Sequence, residues 1–168
     1  MANLCVILGT TLVLTAAAAC QLARSSNSSR VQSKSRDVAS LCESIENIEI
    51  LPFKDEPVPD PAYNALASAG EDAIPCLIRK ITDETKMNDP RQAPRVGFVR
   101  VGDTAFFLLV RFARIDFVEL LPPDVRKAYE GDQGVYGYFR YIDEDGNRKK
   151  LQDAAVKWYE KKYGRSLP

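Results

Sequence analysis

A mainly α-helical domain of about six helices is predicted over residues 37–168, and three observations predict it. Apolar side chains recur at spacings of three and four in several stretches, which places them on one face of a helix. Helix-start signals stand ahead of those stretches, as in Asp60-Pro61, Gly102-Asp103 and Asn147. Glycines close them, as at Gly70 and Gly164.

The chain before this domain has another character. Residues 1–19 carry no charged side chain, and Leu4–Leu14 (LCVILGTTLVL) is largely apolar. As a helix that run is roughly 16 Å long, whereas a membrane span needs about 20 apolar residues. It suits the apolar middle of a secretory signal. Small residues follow, then Cys20. The tetrapeptide Ala17-Ala18-Ala19-Cys20 resembles the lipobox of bacterial lipoprotein precursors. That resemblance implies cleavage before Cys20, a diacylglyceryl group on its thiol, and a cell-envelope, periplasm-facing location. Gln21, where Asp often marks inner-membrane retention in such lipoproteins, implies the outer membrane. The chain departs from the pattern in having no Lys or Arg ahead of the apolar run. Other readings remain open: an ordinary A-x-A cleavage site with Cys20 as a bystander, an uncleaved anchor, or a buried helix.

Residues 20–36 read as a tether. Their Ser- and Arg-rich composition buries too little apolar surface to offset ordering entropy. Arg24, Arg30, Lys34 and Arg36 are solvated there, and close to an anionic membrane each favours it by up to about 1 kcal/mol.

Within the domain, Val38, Leu41, Cys42, Ile45 and Ile48 predict a helix over 35–49. Leu51–Pro59 holds three prolines and reads as an extended connector. Asp60 caps the next helix, with Tyr63, Leu66 and Ala67 on its face, and Gly70 ends it. A second helix carries Ile74, Leu77, Ile78 and Ile81, with Pro75 in its first turn. This pair resembles one HEAT-type repeat in its Gly70, Asp72, Ala73, Ile74, Pro75, Leu77 and Ile78. The resemblance implies a helical hairpin over 60–82 and, from Val101-Gly102-Asp103-Thr104-Ala105, a second one over 102–130.

Residues 83–101 form a connection long enough to suggest function. Asp103 starts the most apolar helix, which includes Ala105, Phe106, Leu108, Leu109 and Phe112. One or two short helices are predicted around Pro122-Pro123. Val135–Ile142 is aromatic and fits either a helix or one short β-hairpin near 135–145. Asn147 caps the last helix, whose core side holds Leu151, Ala155, Trp158 and Tyr159.

Charge and cysteines narrow the function. The chain has 23 basic and 23 acidic side chains, and from residue 41 onward the balance is 19 to 22, a net of −3. Nothing in that balance suggests a nucleic-acid groove, and no nucleic-acid partner is expected. Cys5 departs with the signal and Cys20 takes the lipid, leaving Cys42 and Cys76. In an exported domain they are expected to form a disulfide, the alternative being two buried free thiols. With no His and no Cys-x-x-Cys, zinc is not expected, and no cofactor is expected either. The run Asp143–Asn147 fails as a calcium loop, because its Gly stands at position 4 instead of 6.

Ser-His-Asp and Cys-His chemistry is excluded by the missing His. Cleavage of a glycosidic bond by two carboxylates survives on composition alone, and Glu71, Glu119 and Asp103 read more simply as helix-start or surface charges. The reading that remains is non-enzymatic protein binding. Met87, Arg91, Arg95, Phe98 and Arg100 offer residue types enriched at interfaces. In the competing reading the connection folds onto its own body, with Phe98 and Val99 as anchors and the arginines solvated. With a lipid anchor to the membrane, the expected roles are an immunity protein or inhibitor against an envelope-targeting toxin or hydrolase, an assembly lipoprotein of an envelope or secretion machine, or a carboxylate-dependent peptidoglycan hydrolase.

Overall fold

A helical turn at residues 40–43 begins the domain and tightens into the 3-10 turn Ser44–Asn47. The computed structural model describes residues 38, 40–54, 56–92 and 98–168. The signal and tether readings, and Cys20 with them, lie outside the described residues. Cys42, Ile45 and Ile48 of the opening turn are buried. Cys42 is joined to Cys76 with their Cα atoms 6.2 Å apart, which ties this turn to a helix further along.

The proline-bearing connector runs extended to Asp60, with Leu51 and Val58 as its buried contacts. Asp60 does what its sequence position predicts and something more. Its carboxylate accepts from Tyr63 N–H at 2.8 Å, capping helix α1 (Pro61–Ala69). It also accepts from Glu49 N–H at 2.7 Å and Ile50 N–H at 2.9 Å, so it clamps the connector to the helix start.

Helix α1 ends at Gly70, whose φ of +54° favours glycine. A 3-10 turn, Gly70–Ala73, leads into α2 (Ile74–Lys80). Ile74, Cys76, Leu77 and Ile78 of α2 are buried. The main partner of α2 is not α1 but α3 (Val101–Ala113), the most extensively packed helix pair of the domain. The reason is visible at Gly102. A Cβ there would stand 2.2 Å from the Ile81 carbonyl oxygen, so only glycine lets the two backbones approach so closely.

Between α2 and α3 the long connection folds as an antiparallel pair, β1 (Lys86–Asn88) and β2 (Phe98–Arg100). Met87 faces Val99 across the pair, and both are buried. This hairpin lies in a different place from the one expected near 135–145. There the chain is helical: α4 (Pro123–Ala128) and a π turn (Tyr129–Gln133) lead to α5 (Val135–Ile142). The aromatic run fits both periods, and the exposure of Arg140 between buried Tyr138 and Ile142, which a strand would place on the same face as both, selects the helical one.

Helix α6 (Asn147–Tyr163) closes the fold and buries Leu151, Ala155 and Tyr159, with Trp158 partly covered. Its cap is Gly146, at φ +77°, and Asn147 is already inside the helix. Buried, the Asn147 amide donates to Tyr141 C=O at 2.8 Å and so joins α6 to α5. Among the described residues the fold is thus mainly helical, with six α-helices and one small antiparallel sheet. Among them no helix is long and apolar enough to cross a membrane.

Candidate partner-binding surface

The hairpin stands on a rigid base. Asp103, one turn into α3, is buried and accepts from Arg100 N–H at 2.8 Å, so it closes the helix start from the third helical position. It also accepts from the Tyr138 hydroxyl at 3.0 Å and pairs with the Arg148 guanidinium at 3.0 Å and 3.2 Å. Tyr138 on α5 and Arg148 on α6 are buried as well. Burial, and then the Asp103 charge, push the Tyr138 hydroxyl far above its ordinary range, so it stays a donor. Three helices therefore meet on one carboxylate next to the end of β2.

The root of the hairpin is also held by charge. Asp83 accepts from Thr85 N–H at 3.0 Å and pairs with Lys80 at 3.2 Å. Burial raises the Asp83 carboxyl, but the Thr85 N–H and hydroxyl and Lys80 outweigh it and leave it below the ordinary value. Lys80 is held above its ordinary value, first by its bond to Glu43 and then by Asp83, against the opposing effect of burial.

The residues singled out in the long connection take different places. Met87 is buried and receives the Thr104 hydroxyl at 3.3 Å, so it is a core anchor. Arg91 is not solvated. Its guanidinium forks onto Asp89 at 2.6 Å and 2.9 Å and lies 4.7 Å over Phe139 and 5.3 Å over Phe107. Arg100 is the residue before α3 and donates to Glu84 C=O at 3.1 Å. Arg95 lies outside the described residues. Of the proposed anchors, Val99 is buried, but Phe98 is 71 % exposed.

Phe98 stands at the rim of a groove between β1 and the segment Glu46–Glu49. The groove wall continues into Leu51, whose N–H donates to Pro90 C=O at 2.8 Å. Arg111 of α3 holds the next residues through the carbonyls of Pro52 and Lys54. Between those two carbonyls Phe53 is 71 % exposed. This second bare aromatic was missed by sequence reasoning, although an isolated Phe in a polar, proline-rich connector has no helical or strand face to join.

Other features carry less chemistry. A cleft of about 280 Å³ is lined by Glu84, Asp143, Glu144 and Asp145 together with Arg100, Arg148 and Lys149, so it carries both signs. Among the described residues no group of three His, Cys, Asp or Glu side chains could hold a metal ion. Of the carboxylates weighed for hydrolysis, Asp103 is sealed in its ion pair, Glu71 accepts from the Tyr163 hydroxyl at 3.3 Å, and Glu119 lies on the surface. No protein-family model, curated protein or solved structure matches this chain.

Proposed function

We propose that this chain is a lipid-anchored envelope protein that binds a protein partner through the face carrying Phe98, and that it acts as an inhibitor or immunity protein against an envelope-targeting toxin or hydrolase. The observation that carries the reading is Phe98 itself: a large aromatic side chain, 71 % exposed, on a hairpin fastened by buried residues on its other face. A bare aromatic on a rigid support binds at low entropy cost, because little freedom remains to be lost. Phe53 supplies a second such group on the adjoining connector. The lipobox-like Ala17–Cys20 supports the anchor, and the absence of His leaves no Ser-His-Asp or Cys-His chemistry for the chain to use.

The test is capture. The mature chain from Cys20 is immobilised and exposed to detergent-solubilised envelope and secreted proteins of the source organism. One exported hydrolase, retained at equal stoichiometry and inhibited on titration, is the expected result. Phe98→Ala should fold normally and weaken that capture at least about tenfold, as an anchor worth about 2 kcal/mol does. Retention of several subunits of one machine would favour an assembly role instead. Cell-wall cleavage by the chain alone, lost with one carboxylate, would replace both readings. The anchor is tested separately: Cys20→Ser should move the protein from the membrane fraction to the soluble one.

A further inference from the structure

We propose that the partner engages this face by strand addition, with an extended basic segment pairing as a third strand on the free edge of β1. The inference rests on the hairpin face being the binding surface and specifies what that face takes.

The hydrogen-bond phase of the hairpin exposes that edge. Val101 N–H donates to Thr85 C=O at 2.9 Å, which makes Thr85 and Val101 a hydrogen-bonded pair. In an antiparallel ladder such pairs alternate, so the next is Met87 with Val99. Lys86 with Arg100 and Asn88 with Phe98 are then non-bonded pairs. Arg100 N–H confirms the phase, since it donates to Asp103 and not across the ladder. The backbone N–H and C=O groups of Lys86 and Asn88 therefore point away from β2. Among the described residues no hydrogen bond takes them up. That is a short row of paired donors and acceptors of the kind an added strand completes.

A groove of about 1130 Å³ lies along this edge, with Glu46–Glu49 as its far side. The far side carries two exposed carboxylates, Glu46 and Glu49, while Asp89 is already engaged by Arg91. Among the described lining residues Lys86 is the one cation. The excess of acidic groups selects a basic occupant. Apolar contact is supplied by Phe98, 71 % exposed at the groove's rim, which selects residues alternating between basic and β-branched.

The probe is a labelled, end-blocked octapeptide of alternating Lys and Val, titrated by fluorescence anisotropy against the mature full-length chain in detergent. Saturable binding is expected. N-methylation of alternate peptide amides removes donors without changing charge, and it should weaken binding at least tenfold when placed on the edge-facing set. An alternating Glu and Val peptide should bind at least tenfold more weakly. Asn88→Pro removes an outward N–H that the hairpin does not use, a position where edge prolines are tolerated. It should lose at least tenfold in affinity at unchanged Tm. Should that variant unfold, the N-methylated peptides on the wild-type chain decide the question.

Absence of saturable binding, or indifference to N-methylation at either set of amides, overturns strand addition. The two proposals fail separately. Capture of a natural partner that depends on Phe98 but ignores Asn88→Pro leaves the surface reading standing and removes the added strand. Peptide binding that follows the expected pattern while no inhibited hydrolase is captured keeps the strand and removes the inhibitor.

Discussion

At the scale of single residues, glycines separate into those that the packing requires and those that it tolerates. A Cβ at Gly102 would meet Ile81 O at 2.2 Å and Ile81 C at 2.8 Å, both backbone atoms that no rotamer change can move. Gly102→Ala is expected to destabilise by at least about 1–3 kcal/mol, as overpacking does. Gly137, also helical, has its nearest neighbour at 3.4 Å, in ordinary contact. Gly137→Ala should be neutral or stabilising by up to about 1 kcal/mol, from helix propensity. Urea unfolding of both variants checks the pair, and equal effects would show that the α2–α3 approach does not depend on glycine. Phe98 belongs at this scale too. Its exposure follows from the pleat, because its neighbour Val99 takes the inward side opposite Met87.

At the scale of elements, Asp60 and Asp103 show how one carboxylate organises several segments. Asp60 serves α1 and the connector at once. Burial pushes its carboxyl up, but the N–H groups of Tyr63, Ile50, Glu49 and Ala62 together outweigh that and hold it below its usual value. Its folded pKa is depressed, so its contribution to stability is present above the unfolded value near about 3.9 and is lost as pH falls through the folded value. Asp60→Asn should therefore cost about 1–3 kcal/mol at neutral pH, since its amide turns a donor towards N–H groups. The gap to wild type should narrow as pH falls through the depressed folded value. Urea titrations of both proteins from neutral to acid pH measure it, and a gap that stays constant across that range would remove the carboxylate from the account. Asp103 could be read as a helix-start residue, yet the three helices converging on it could not. Tyr138 and Arg148 lie 35 and 45 residues further along the chain.

At the scale of the whole molecule, the Cys42–Cys76 bridge fastens the entry of the chain to α2. It spans 34 residues of sequence, and on the chain-entropy model a loop of that size stabilises by about 3–4 kcal/mol. Cys42→Ser/Cys76→Ser, or reduction of the wild type, should lower the unfolding free energy by about that amount. An unchanged urea midpoint would mean that the bridge constrains nothing the fold does not already hold. Lys80, bonded to Glu43 and Asp83, spans the same region by charge. The entry turn and the root of the hairpin are therefore linked through α2.

Much of this architecture is legible in the sequence because it depends on near neighbours. Residues at spacings of three and four placed the helices, Asp60 announced its cap, and the pair Cys42 and Cys76 suggested its bridge. The hairpin was not legible at its true position, since a three-residue strand has too few positions for alternation to register and Phe98-Val99 reads as well as a loop anchor. Nor were the interior roles of Met87 and Arg91 legible. A methionine or arginine in a long connection carries an interface signal by type, and only its partners, Thr104, Asp89, Phe107 and Phe139, assign it to the interior. By itself the sequence determined a mainly helical domain, because helix periodicity and caps are local. Only the tertiary structure decided which aromatics stay bare and which strand edge stays open, because burial and hydrogen-bond phase are settled by residues far apart in the chain.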